Sequence, residues 1–148
     1  MPARLSQAER IVLVAGVLLI FDLLLLPWHS ADIPEDVGFD PTRTAVQEIY
    51  PAYGIAAVVL TAVMIVQIVL SRLMSVRLPP PGLPWPVVHL VAGIFVAVVL
   101  VIKLFRETEL LGYGAYSGVL GGILVAYGGW SISREAEAEA EAEAEDPQ

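Results

Sequence analysis

Four long apolar runs, cut by short polar or proline-rich connections, constrain this chain more than any other feature. Residues 11–26 are apolar except for Asp22. Residues 53–70 have only Thr61 and Gln67 as clearly polar side chains besides a tyrosine. Residues 87–102 carry one histidine, His89, near their start, and 110–132 are interrupted only by hydroxyl residues and glycines. A helix needs about 20 predominantly apolar residues to cross a hydrocarbon core of about 30 Å. The first and third runs fall short alone. Pro27 and Trp28 after the first, and Trp85 and Pro86 before the third, extend them into the interface, where tryptophan is favoured. Each run is predicted to be helical because lipid offers no partner to an unpaired backbone group. The expected fold is all-α, a polytopic membrane four-helix bundle over 1–133, with spans at about 10–28, 50–73, 85–105 and 110–132.

Composition agrees with that expectation. Hydrophobic residues make up 57% of the 148, above the roughly 45–50% usual for a soluble domain. The net charge of −8 is concentrated at one end, because residues 135–146 hold six glutamates and an aspartate. The other nine acids nearly balance the eight Lys and Arg. No basic footprint for nucleic acid exists. The absence of cysteine excludes disulfides and thiolate chemistry.

The first run follows Arg4 and Arg10, as a signal peptide would. Asp22 interrupts it, and Trp28-His29-Ser30-Ala31 lacks the small residues a cleavage site needs, so a retained anchor is expected. Arg4, Arg10, Arg72, Arg77 and Arg134 fall on one side of the expected membrane. Arg43, Lys103 and Arg106 fall on the other, among Asp32, Glu35, Asp36, Asp40, Glu48, Glu107 and Glu109. Cytoplasmic loops are enriched in Lys and Arg, which puts both termini inside.

The longest connection, residues 28–48, reads as an irregular acidic loop around Pro34, Gly38 and Pro41. His29, Asp32, Asp36 and Asp40 match no metal-ligand spacing. Residues 78–86 hold five prolines, predicting a stiff extended spacer between two helix ends. The Glu/Ala tail, 134–148, is expected to be disordered or to extend helix four by a turn or two, since glutamates four apart repel.

Asp22 is the most informative residue. Six residues before Trp28, it lies about 9 Å below the outer interface, where an ionised carboxylate must pair, face the bundle or be protonated. Lys103 and Arg106, three apart near the outer end of helix three, are the expected ion-pair partners. Gly114, Gly118 and Gly122 form a four-residue-step groove for close helix packing, either within the chain or against a second copy. Gly112-Tyr113-Gly114 lacks room for the pore helix a potassium filter requires. His89 reads as a hydrogen-bonded or interfacial histidine without ligand-like spacing to another histidine or carboxylate. No nucleophilic triad or phosphate loop is present.

The stretch Phe21-Asp22-Leu23-Leu24-Leu25-Leu26-Pro27-Trp28-His29-Ser30 resembles the end of the first helix in small uncharacterised four-span membrane proteins of the actinobacterial type. That resemblance implies an inner-membrane location and no activity. Four spans, one acid in helix one and a glycine-rich helix four also resemble the small multidrug exporters. Here, however, the acid is nearer the outer face and the first loop is longer. The expected function is a non-enzymatic accessory or structural membrane component without a cofactor. Its expected partners are the bilayer and a protein or second copy through helix four. The alternative is a small transporter subunit with Asp22 coupling to a proton or cation.

Overall fold

The computed structural model describes residues 5–30, 42–47, 50–106, 108 and 110–145. Among these are four long helices: α1 (Gln7–Leu25), α2 (Pro51–Ile68), α3 (Trp85–Arg106) and α4 (Tyr113–Glu145). α2 runs on into a π-helical turn, Val69–Leu73. Among the described residues the fold is all-helical but for one pairing of two-residue strands and an isolated bridge. Pro51–Leu73 and Trp85–Arg106 are each long and apolar enough to cross a membrane. α1 carries Glu9, Arg10 and Asp22, and α4 dilutes its apolar residues with glycine and tyrosine.

Local chemistry sets the helix ends. Ser6 and Glu9 form a reciprocal capping box: the Glu9 N–H donates to Ser6 Oγ (3.2 Å) and the Ser6 N–H to Glu9 Oε2 (2.9 Å). α2 starts with Pro51, whose missing N–H costs nothing at a first helical position. α3 begins as the proline-rich segment ends, with Pro86 in its first turn.

The helices alternate in direction and close into a ring, each packing on its chain neighbours and α4 on α1. α4 makes the most extensive contacts, against α3 and α1, and its glycines are the reason. A Cβ on Gly122 would sit 2.9 Å from Leu100 Cδ1 of α3, and one on Gly128 would sit 2.6 Å from Val12 Cγ2 of α1. A Cβ on Gly129 would strike the His89 carbonyl oxygen. The core runs down the axis through Val12, Leu19, Leu23, Met64, Val96, Leu100 and Val125.

Two features differ from the sequence expectation. The connection after α1 is not wholly irregular: β1 (His29–Ser30) pairs antiparallel with β2 (Thr42–Arg43), and His29 also bridges to Leu111. Backbone bonds from Trp28 N–H to Arg43 O (2.8 Å) and from Gly112 N–H to Trp28 O (2.7 Å) tie this strap to the start of α4. Two-residue strands are too short to leave an alternation signal. The rest of the loop, with Asp32, Glu35, Asp36, Asp40 and Glu48, lies outside the described residues, as do Arg4, Glu107 and Glu109.

The acidic tail, expected to be disordered beyond a turn or two, instead continues α4 to Glu145. Alanine and glutamate are strong helix formers, and the bundle supplies the nucleus that an isolated helix must form at a cost. Each glutamate pair four apart opposes this by only a few tenths of a kcal/mol. Arg134 helps at the junction, pairing with Glu137 at 3.1 Å.

Candidate functional site

Apart from Thr61, buried near the middle of α2 against Gly16, the polar side chains buried within the apolar helices collect in two layers, one at each end of the bundle. At one end lies Asp22, whose side chain turns from α1 toward α4. There the Ser117 hydroxyl donates to Asp22 Oδ1. The same hydroxyl lies 3.2 Å from the Tyr113 carbonyl, a bond available to a helical serine. Ser117 has one proton to give. When it goes to Tyr113, the contact with Asp22 needs the proton to be on the carboxyl group. Asp22 Oδ2 is buried and has no hydrogen-bond partner. A Cβ on Gly118 would lie 2.8 Å from it, so this glycine makes room for the carboxylate. Asp22 and Ser117 border a groove of about 320 Å³ otherwise lined by Leu18, Leu19, Phe21 and Leu26.

The two bases proposed for Asp22 lie elsewhere. Lys103 is fully buried, with its Nζ 5.4 Å from the centre of the Trp28 ring. The Arg106 guanidinium lies 5.3 Å from the centre of the Tyr50 ring, at the start of α2. Among the described residues no ion pair joins Asp22 to either. The reason is placement in the ring: α1 and α3 are diagonal, so an acid on the buried stripe of α1 meets α4 first. Trp28, expected at the lipid interface, is 1% exposed. It fills the space beneath the strand pairing, and its ring also touches the Cβ position of Gly118. Gly114 meets the Pro27 carbonyl, Gly118 meets Asp22 and Trp28, and Gly122 meets α3. The glycine face of α4 is thus covered within the chain.

The other layer gathers the start of α1, the end of α2, the start of α3 and Ile132 of α4 around a cavity of about 220 Å³. Glu9 Oε1 accepts from Arg72 Nε at 2.6 Å. This acid is nearly buried, while the arginine is half exposed. Arg72 sits in the π-helical turn closed by Met74 N–H to Val69 O (3.1 Å). Such turns shift the face that later residues present. Below the ion pair, His89 Nε2 meets Gln67 Oε1 at 2.7 Å. A carbonyl oxygen only accepts, so Nε2 donates here, and in the neutral ring Nδ1 then keeps a bare lone pair. His89 is 2% exposed, and its Nδ1 has no partner.

Sequence reasoning missed this second layer almost entirely. The one local signal that could have pointed to Glu9 is the capping-box spacing of Ser6 and Glu9 at the start of an apolar run, which the sequence reading did not use. Nothing in the sequence paired it with an arginine 63 positions on, or His89 with Gln67. Among the described residues no group of three or more His, Asp or Glu is arranged to hold a metal. The loop acids weighed for that role lie outside the described residues. Compared with family models, curated proteins and solved structures, the chain shows no match.

Proposed function

We propose that this chain is a four-span integral membrane protein with both termini cytoplasmic, serving as a non-enzymatic accessory or structural component of that membrane. The observation that carries this reading is the inverted surface. Large apolar side chains point outward from every helix: Leu18 and Phe21 on α1, Val59 and Val63 on α2, Ile94 and Phe95 on α3, Leu120 and Ile123 on α4. Meanwhile Glu9, Asp22, Gln67, His89 and Lys103 are buried. Water would penalise such a surface heavily, since large exposed apolar patches are rare on soluble monomers. Hydrocarbon accepts it at no cost and forces polar groups inward. The arginines of the Glu9 end favour the cytoplasm for that end. The resemblance to small four-span proteins points the same way.

The test is reconstitution of the purified chain with lipid vesicles, followed by density flotation and carbonate washing. The reading expects the protein to float and resist extraction; recovery in the carbonate supernatant would sink it. Mass spectrometry of proteins retained in mild detergent then addresses the accessory role.

A second reading, a small transporter subunit coupling a proton or cation through Asp22, is favoured by one observation. The acid has a serine rather than a base as its partner, and its second oxygen is buried beside an apolar groove. In proteoliposomes carrying an internal pH dye, this reading expects ion-coupled flux that Asp22→Asn abolishes without loss of folded protein. Equal signals from wild type and variant would remove it.

A further inference from the structure

We infer that the cavity at the Glu9 end binds the head of a phospholipid bearing a primary amine. The ammonium enters against His89 Nδ1 and Glu9, and the phosphate rests on the outer nitrogens of Arg72. The inference rests on the membrane reading, which places this cavity at a lipid headgroup level.

Four observations lead to that ligand. First, His89 Nδ1 is an acceptor buried without a donor, and buried polar groups are nearly always paired. The missing partner must bring an N–H or O–H. Second, Glu9 uses one oxygen for the Ser6 N–H and the other for Arg72 Nε. A carboxylate can accept about four bonds, so both oxygens retain capacity. The cavity therefore offers three acceptor atoms to one incoming group, His89 Nδ1 and the two Glu9 oxygens, and the half-buried Trp85 ring beside them suits a cation. Third, Arg72 is engaged through Nε and its side chain is 47% exposed. Arg72 lines the cavity, and its outer N–H groups, which Glu9 does not engage, form the fork that recognises phosphate oxygens. Fourth, Glu9 and Arg72 neutralise each other, so the site has no net charge and matches a zwitterion better than an anion. The volume of about 220 Å³ accommodates a phosphoethanolamine group and leaves its acyl chains outside.

The chemistry separates amine classes. A quaternary ammonium satisfies the tryptophan face but has no N–H for His89 or Glu9. An anionic glycerol head can donate a hydroxyl, but it leaves its negative charge without a second base, because Arg72 already holds Glu9. A primary ammonium brings one N–H for each of the three acceptor atoms and its charge to the tryptophan face, and each methylation removes one of those bonds.

The experiment uses the full chain in mild detergent with equal amounts of phosphatidylethanolamine, its N-methyl and N,N-dimethyl forms, phosphatidylcholine and phosphatidylglycerol, all with the same acyl chains. Retained lipid is counted by native mass spectrometry. Retention should fall stepwise with each N–H removed, by about fivefold per lost hydrogen bond. His89→Phe should flatten the series. Because the methylation series needs no mutation, a poorly folding variant does not spoil the test. A flat series in the wild-type chain, or preference for phosphatidylglycerol, overturns the inference. So does displacement of the lipid by millimolar O-phosphoethanolamine, which would give the site to a soluble ester. Flotation of the same preparation keeps the two readings apart. A chain that fails to float loses the membrane reading; one that floats with a flat series loses only this inference.

Discussion

Asp22 and Ser117 illustrate how one residue gains meaning from its neighbour. The serine is the only hydrogen-bond partner found for that carboxyl group among the described residues. Ser117→Ala leaves a buried acid unsatisfied and should cost about 2 kcal/mol. Asp22→Leu combined with Ser117→Ala removes both polar groups and should recover most of that loss, because neither member is then stranded. Unfolding in mixed micelles checks this. A double variant as unstable as the sum of the singles would mean that Asp22 has another essential contact. Gly129 makes a different kind of prediction. A Cβ there meets the His89 carbonyl oxygen, which belongs to backbone and cannot turn away. Gly129→Ala should therefore destabilise the chain by about 1–3 kcal/mol through overpacking. The same change at exposed, non-contacting Gly82 meets nothing within 4 Å and strains only the local turn, whose φ is +83°.

At the scale of elements, α4 is two helices in one. Its first part is packed along a glycine face, and its last part, beyond Arg134, is exposed apart from a partly covered Ala136. The two parts are joined by continuous backbone but not by tertiary contacts. Truncation after Arg134 should remove helical ellipticity in proportion to the residues lost and leave the unfolding midpoint of the bundle unchanged. A lowered midpoint would show that the acidic helix stabilises the bundle. The strap behaves differently. β1, β2 and Leu111 join α1 to α4 above the buried Trp28. Trp28→Ala empties that space and should cost about 3–5 kcal/mol, measured by the same unfolding assay.

For the whole molecule, the alternation of four helices brings the start of α1 and the Ile132 region of α4 to one cavity. Because the chain has no cysteine, single substitutions report orientation directly. Ser30→Cys should react with a membrane-impermeant maleimide on intact cells, whereas Ser75→Cys and Glu137→Cys should react only after permeabilisation. The reverse pattern would invert the proposed orientation, and labelling of Ser30 and Ser75 from the same side would break the four-span topology.

The helices themselves were legible from residues 11–26, 53–70, 87–102 and 110–132, because apolar run length and helical backbone are both local properties. So was the close approach of Gly114, Gly118 and Gly122, since a missing Cβ acts wherever the helix is packed. Pairing was not legible. Asp22 was expected to find Lys103 or Arg106, a choice that depends on which helices are adjacent and which diagonal, and the ring places α4 beside α1. The same holds for Glu9 with Arg72 and His89 with Gln67, separated by 63 and 22 positions. Helix propensity also read the Glu/Ala tail only in part, because repulsion was weighed without the nucleus that the preceding bundle provides. The sequence alone determined four apolar helices and the exclusion of thiol chemistry. Only the tertiary structure decided which polar groups meet, because hydrophobic burial is non-directional while a hydrogen bond needs its partner at one distance and angle.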